Sequence, residues 1–298
     1  MNSLSLISPA FLVFLAVSTL FVVLYPIGLG IWASRQLHVR WRYFLFGAAV
    51  FFVFQILTRL PALRLLDPVV EPHLATSSVL TWTWLVGLSL SAALFEEVGR
   101  YVGYRVFMRR EEKTWAKGVM YGLGHGGLES MLLVGGTGLL SLISLVSIQV
   151  GGLDQVPAAQ RAATMQQIQT LASQPVWFPL LGAWERLWTL PIQVACSVLV
   201  LQVFRRGSLI WLWLAIAAHT LVDLTTVGLG QALGASVSTS LIVEAAIAAF
   251  GAVAVWVIWH LRDAPRRDAA AIDPLRLDKT PLPIFKERGS SSASPTAL

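Results

Sequence analysis

Long uninterrupted apolar runs are the feature that most constrains how this chain folds. Several reach or approach the roughly 20 residues that a helix needs to cross a bilayer. Hydrophobic residues make up 56% of the 298 residues and charged residues only 13%, about half the charged share of a soluble domain. We therefore predict an all-α integral membrane protein. The first run, Leu4 to Trp32, has no basic residue before it and exceeds a signal-peptide core, so it is predicted to remain as a span.

About seven spans, within a range of roughly six to eight, are predicted from these runs. Their approximate bounds are 8–33, 42–60, 78–104, 117–150, 176–203, 208–230 and 240–261. The fourth run is long for one span and contains GGTG at Gly135–Gly138, so it is predicted to be one long or broken helix. Between the fourth and fifth spans, 151–175 is predicted to be a polar outer loop with a short amphipathic helix.

Basic residues cluster on one side of these spans, which predicts their orientation. If the N-terminus is outside, only Arg59, Arg64 and Arg161 belong to outer loops and span ends. The thirteen on the cytoplasmic side are Arg35, Arg40, Arg42, Arg105, Arg109, Arg110, Lys113, Lys117, Arg205, Arg206, Arg262, Arg266 and Arg267. This bias accounts for the net charge of +6 without nucleic acid as a partner. The N-terminus is predicted outside and the C-terminus in the cytoplasm.

Two parts of the chain are distinguished by composition. Residues 1–262 are predicted to form the membrane domain. Residues 263–298 are first charged and then rich in Pro and Ser, which predicts a disordered cytoplasmic tail.

Four spans carry ionisable residues, which are costly in hydrocarbon and rare there without a partner or a function. They are Glu96, Glu97 and Arg100 in the third span, His125 and Glu129 in the fourth, Glu185 and Arg186 in the fifth, and His219 and Asp223 in the sixth. The fourth-span and sixth-span pairs are spaced i,i+4, so each pair shares one helix face. At about 1.5 Å per residue, the histidines lie about 12 and 15 Å, and the glutamates about 19 Å, from the cytoplasmic ends of their spans. We therefore expect one shared intramembrane site.

Histidines and carboxylates at one site can activate water in two ways. They can bind zinc, which commonly takes three protein ligands and a water at a catalytic site, with a glutamate removing the proton of that water. They can also act without metal, as a general base and an oxyanion-stabilising partner. The single cysteine, Cys196, excludes an intrachain disulfide and a site with several thiolates. No HExxH, GxSxG or GxGD motif is present.

The order EExxR, GxGHGxxES, an ER pair and HxxxD on successive spans resembles the YhfC-type intramembrane metalloproteases. That family is similar to the CAAX prenyl proteases and bacteriocin-processing enzymes, and the resemblance covers about Leu80 to Thr226. It implies a CAAX-protease-like bundle in the plasma membrane of a bacterium. Its partners would be membrane lipids and a membrane-associated peptide or protein substrate, which a metal-dependent endopeptidase would cleave.

Carried onto this sequence, the resemblance implies Glu96, His125, His219 and Asp223 as catalytic residues. The CAAX enzymes have EExxxR where this chain has the shorter EEVGR, which leaves Glu97 as a second candidate for the catalytic glutamate. One of the two glutamates is expected to pair with Arg100 and the other to act on water. A divalent metal, with zinc the expected ion, would be bound by Glu96, His125 and His219. Supporting roles are predicted for Arg100, Glu129, Glu185 and Arg186.

Three other interpretations use the same residues differently. Polar side chains on separate spans can simply hold helices together. A transporter or channel can use histidines and glutamates as a proton relay, although this chain shows no internal repeat of the kind common in transporters. A non-catalytic membrane binding protein is the third alternative.

Overall fold

The computed structural model describes residues 7–262, apart from the side chain of residue 155. Seven of its helices are long and apolar enough to cross a membrane, and the described residues contain no strand, which confirms the predicted all-α membrane fold. The tail predicted at 263–298 lies outside the described residues. The long helices are α1 (Pro9–Gln36), α2 (Arg42–Leu74), α3 (Ser78–Val106), α4 (Trp115–Gly151), α6 (Leu180–Arg206), α7 (Ile210–Leu233) and α8 (Val237–His260).

The connections between the long helices are short except for the one after α4. That connection contains two 3₁₀ turns, Leu153–Gln155 and Ala158–Gln160, and the short helix α5 (Arg161–Ala172). The side chain of Ile168 in α5 is buried in a small apolar cluster with residues of α1 and α4. The predicted short helix in this loop is therefore present, and its apolar contact fixes it against the bundle.

Serine and threonine caps mark the start of three long helices. The hydroxyls of Ser77, Thr114 and Ser236 accept hydrogen bonds from backbone N–H groups in the first turns of α3, α4 and α8. Such caps satisfy donors that a helix start would otherwise leave unpaired. They begin α3 at Ser78 and α4 at Trp115, which sets the heights of the glutamate and histidine residues along these helices.

Helix α2 differs from its predicted bounds, whereas α4 is one long helix over about the predicted residues. Helix α2 continues to Leu74 instead of ending near residue 60, and a π-helical segment, Phe52–Arg59, lies within it. Helix α4 continues through Gly135–Gly138 without a break, because its irregular part is the π-helical segment Ser130–Gly135. Inside a bilayer an interrupted helix leaves backbone groups without partners, whereas a π turn keeps them hydrogen-bonded.

Helix α6 is the central helix of the bundle. It packs against α1, α3, α4, α7 and α8, and 67% of its most apolar segment is buried, compared with 11–33% for the other long helices. Helix α4 lies between α6 and α2, and α3 packs against α7. The helices that carry the ionisable residues are therefore neighbours around α6.

Close helix packing holds the histidine of α4 in place. A side chain at Gly124 would collide with the backbone carbonyl of Phe44 in α2, and a Cβ at Gly122 would lie 2.7 Å from the Cα of Val194 in α6. Only glycine permits backbones to approach this closely. Gly122 and Gly124 thus allow α6 and α2 to pack closely against α4 next to His125, as expected for small residues in membrane bundles.

A layer of aromatic side chains separates this histidine from the basic ends of the helices. Tyr104 and Tyr121 stack with ring centroids 4.4 Å apart, and both are fully buried. The hydroxyl of Tyr104 donates to the carbonyl of Ser197 at 3.0 Å, and Phe204 packs edge-on against its ring. These rings fill the space between α3, α4 and α6 on that side of His125.

Candidate active site

The adjacent glutamates of α3 share one arginine. Glu96, Glu97 and Arg100 are at most 3% exposed. The Arg100 guanidinium pairs closely with Glu97 Oε1 through Nη1, and its Nη2 lies 3.3 Å from Glu96 Oε2. Both glutamates are within reach because i+3 and i+4 residues share a helix face. The expectation that Arg100 pairs with one glutamate and leaves the other free is therefore not what the structure shows.

Each histidine contacts a different glutamate. His125 Nε2 lies 3.1 Å from Glu96 Oε2, and His219 Nδ1 lies 2.7 Å from Glu97 Oε1. On the other side of the His219 ring, Nε2 lies 3.6 Å from Asp223 Oδ2, one turn along α7. The ionisable groups of α3, α4 and α7 thus meet in one site, as expected from their depths in the membrane.

Two glutamines that the sequence analysis did not single out complete this network. Gln55, in the π-helical segment of α2, donates from Nε2 to Glu96 Oε1 at 2.7 Å. Gln193 of α6 donates from Nε2 to Glu129 Oε2 at 2.7 Å and to Glu96 Oε2 at 3.3 Å, while its Oε1 accepts from Arg100. Amide side chains inside apolar spans were the available signal, because polar groups there need partners.

The remaining predicted residues form a second ion-pair group beside the first. Arg186 Nη1 donates to Glu129 Oε1 at 3.0 Å, and its Nη2 pairs closely with Glu185. Gln193 connects Glu129 to Glu96, so the two groups form one continuous network. The supporting roles of Glu129, Glu185 and Arg186 remain predictions.

A cavity of about 380 Å³ opens beside this network, among α2, α3, α4, α6, α7 and α8. Glu96, His219 and Asp223 line it, whereas Glu97, Arg100 and His125 do not. Its other polar lining residues are Gln55, Arg59, Ser89, Glu129, Glu185, Arg186, Thr189, Gln193 and Thr226. The residues of α3 that line the cavity run from Leu88 to Glu96, whereas Tyr104 of the aromatic layer lies about two turns beyond Glu96 in the other direction. Of the two glutamates, Glu96 is the one that a molecule in the cavity can reach.

Arg59 occupies an unexpected position. The apolar runs predict an outer span end here, but α2 continues past Arg59, and this residue lines the cavity. It donates to the carbonyl of Leu88 at 2.8 Å and to the hydroxyl of Ser91 at 3.2 Å. It is therefore a cationic donor at the site rather than part of the charge bias between loops.

Ligand atoms suited to a divalent metal converge behind the cavity. Among the described residues, one group of His, Cys, Asp and Glu ligand atoms lies within 4.8 Å of one another, and it comprises Glu97, Cys196 and His219. Glu97 Oε2 is buried without a hydrogen-bond partner. A carboxylate, a thiol and an imidazole are all groups that zinc accepts. The donor chemistry thus fits a divalent metal, although this group shares only His219 with the predicted set of Glu96, His125 and His219.

Fold and site together define a polytopic helical membrane protein with a buried glutamate–histidine network beside a polar cavity. Residues 21–247 match the model of the YhfC intramembrane metalloprotease family. The chain is also 31% identical over 232 residues to the uncharacterized membrane protein YhfC of Bacillus subtilis (strain 168), covering 74% of this chain and 86% of that protein. The chain therefore belongs to the YhfC family, which confirms the resemblance seen in its motifs. No solved structure matches it.

Proposed function

We propose that this protein is an intramembrane metal-dependent endopeptidase that hydrolyses membrane-associated peptides. The observation that carries the proposal is the position of Glu96. Glu96 lines the cavity, and its carboxylate contacts His125 in the buried network. The family description as an intramembrane metalloprotease supports the same reaction class.

Glu96 is proposed as the general base. An ionised carboxylate offers about four acceptor positions on its two oxygens. Gln55 uses one on Oε1, while His125, Arg100 and Gln193 surround Oε2. Oε1 therefore keeps an acceptor position for a water molecule in the cavity, and this oxygen takes the proton as the water attacks a peptide carbonyl.

His219 of α7 is proposed to act on the same reacting carbonyl, and Asp223 is proposed to orient its ring. His219 lines the cavity, and Asp223 lies 3.6 Å from its Nε2 on the cavity side. A ring N–H placed there stabilises the negative charge that develops on the carbonyl oxygen. His125 lies outside the cavity lining, so its proposed role is to hold Glu96 ionised and correctly oriented.

The proposed metal is a divalent ion, with zinc the expected one. His219 belongs both to the predicted ligand set and to the group of ligand atoms that converge in the structure. A bound metal lowers the pKa of an attached water and polarises a carbonyl. A metal-free reaction with Glu96 and His219 alone remains the alternative from the sequence analysis.

The test is peptide cleavage in proteoliposomes. Purified protein is incubated with synthetic membrane-spanning peptides of varied sequence, and new termini are identified by mass spectrometry. The matched variants are Glu96→Gln and Glu71→Gln, because Glu71 is an exposed glutamate far along α2. Wild type and Glu71→Gln should cleave the same bonds, while Glu96→Gln should be at least about 100-fold slower, the usual contribution of a general base. Equal cleavage by Glu96→Gln would overturn the assignment.

A proton-relay transporter predicts a different result in the same vesicles. It would cleave no peptide, and it would dissipate an imposed proton gradient in wild type but not in Glu96→Gln. A purely binding protein would do neither. Either result would overturn the hydrolase proposal.

A further inference from the structure

The buried group of Glu97, Cys196 and His219 brings together three kinds of metal ligand from three helices. Glu97 lies on α3, Cys196 on α6 and His219 on α7, and their ligand atoms are within 4.8 Å of one another. Their exposed fractions are 0%, 3% and 4%. A single cysteine excludes only sites with several thiolates, so the sequence alone assigns Cys196 no role.

These side chains have ligand capacity that the protein does not use. Glu97 Oε2 is fully buried and has no hydrogen-bond partner, a costly arrangement for an ionised carboxylate. His219 turns Nδ1 toward Glu97 and Nε2 toward Asp223. Metal-bound histidines commonly have a carboxylate on the ring nitrogen that does not bind the metal. Asp223 lies on the correct side for that role.

The charge balance also favours a cation. The site holds five carboxylates and three guanidinium groups, so two negative charges remain uncompensated when the histidines are neutral. The carboxylates are those of Glu96, Glu97, Glu129, Glu185 and Asp223, and the guanidinium groups are those of Arg59, Arg100 and Arg186. Uncompensated charge inside a protein is strongly unfavourable. A divalent cation offsets this excess of two, and a Cys196 thiolate would strengthen its binding while leaving one negative charge.

We infer that Glu97, Cys196 and His219 bind a divalent transition-metal ion, with zinc as the best match. A thiolate and an imidazole favour zinc over magnesium or calcium, which prefer oxygen ligands. Three protein ligands are also the number found at catalytic zinc sites. The inference rests on the proposed function, which requires a metal. It differs from the predicted ligand set of Glu96, His125 and His219 because Glu97 and Cys196 take the places of Glu96 and His125.

This assignment gives the adjacent glutamates separate tasks. Glu97 faces α7 and the thiol of α6, away from the cavity, and serves as a ligand. Glu96 lines the cavity and stays free of the metal, so it keeps its acceptor position for water. Neighbouring side chains on a helix differ in direction by about 100°. One glutamate can therefore bind the metal while the next acts as base.

The test uses cobalt as a spectroscopic probe in the full-length protein. The metal content of detergent-purified protein is measured, zinc is exchanged for Co²⁺, and the near-ultraviolet thiolate-to-cobalt charge-transfer band is recorded. Because the chain has one cysteine, such a band can arise only from Cys196. We expect about one metal per chain and the band in wild type. Cys196→Ser should lack the band. It should also bind Co²⁺ more weakly, by more than the roughly 10–100-fold that is lost when a residue that only orients a ligand is removed.

A matched control moves the thiol by one position. Ala195→Cys combined with Cys196→Ser keeps one buried thiol but turns it about 100° around the helix, so the band should stay absent. X-ray absorption of the wild-type zinc protein gives an answer that does not depend on any variant folding. A sulfur neighbour at about 2.3 Å from zinc is expected.

The outcomes separate this inference from the proposed function. Bound metal without the band or a sulfur neighbour would overturn the Cys196 site, and a metal-dependent hydrolase with the predicted histidine ligands would stand. Peptide cleavage that depends on Glu96 but needs no metal would overturn the metal requirement and leave the hydrolase, while the band alone would decide the site. Metal binding with the band but no cleavage would support the site and count against the hydrolase.

Discussion

Replacing each of the adjacent glutamates by glutamine tests the structural difference between them. The contacts indicate that Glu97→Gln should destabilise the fold more than Glu96→Gln. Glu97 is the closer ion-pair partner of Arg100 and also contacts His219 at 2.7 Å. Glu96 is the more distant ion-pair partner, at 3.3 Å, and its other contacts are to Gln55, His125 and Gln193.

The magnitudes follow from what each variant leaves behind. Removing one partner of a buried ion pair costs about 3–5 kcal/mol, because the remaining charge is uncompensated. Glu97→Gln should be near the lower end, about 3 kcal/mol, since Arg100 keeps Glu96. In Glu96→Gln, Arg100 keeps its closer partner. The new amide N–H₂ at position 96 is a donor and faces the N–H₂ donor of Gln55 or Gln193, so one hydrogen bond is lost. This loss should lower the free energy of unfolding by about 1–2 kcal/mol.

Thermal unfolding in detergent, followed by fluorescence, measures this difference. At about 2–4 °C per kcal/mol, Glu97→Gln should unfold about 6–12 °C below wild type and Glu96→Gln about 2–8 °C below it. The folded Glu96→Gln protein should nevertheless lose peptide cleavage. If Glu96→Gln is the less stable variant, or if Glu97→Gln unfolds at the wild-type temperature, the Arg100 pairing described here is incorrect.

Three further predictions concern packing, pH dependence and topology. Gly124→Ala should cost about 3 kcal/mol or more, because its Cβ meets the backbone of α2, whereas Gly230→Ala, with no neighbour within 4 Å, should unfold at the wild-type temperature. In the loop after α3, a tyrosine hydroxyl and two nearby basic side chains lower the pKa of Glu111. Glu111 should contribute about 0.2–1 kcal/mol to the free energy of unfolding, as a surface pair does. This contribution should be present above the pKa that Glu111 has in the unfolded chain and be lost as the pH falls through its lower pKa in the folded protein. Glu111→Gln should flatten that acid-side decline in unfolding temperature, and an unchanged decline would exclude Glu111 as its source. Reporter fusions after Lys113 and after Arg267 should both report the cytoplasmic side, and opposite sides would mean that one span is miscounted.

The amino-acid sequence by itself determines the helical membrane fold and the depth of each ionisable residue. Apolar runs fix which segments cross the bilayer, because an unpaired backbone is excluded there. A helix rises by a constant amount per residue, so counting from the basic span ends placed Glu96 and His125 at depths compatible with one shared site. Their 3.1 Å contact agrees with that count. The i,i+4 spacing likewise placed Asp223 beside His219.

The tertiary structure decides what lies beside each residue at a given depth. Depth says nothing about the angular position of one helix around another, so the sequence could not reveal that α6 lies at the centre. That position gives Gln193 its bridging contacts and brings Cys196 close to Glu97 and His219. Nor could the sequence show that α2 continues past Arg59. This residue was predicted at an outer span end, and in the structure it lines the cavity. These contacts depend on how the helices pack laterally, and close approaches such as that at Gly124 set this packing.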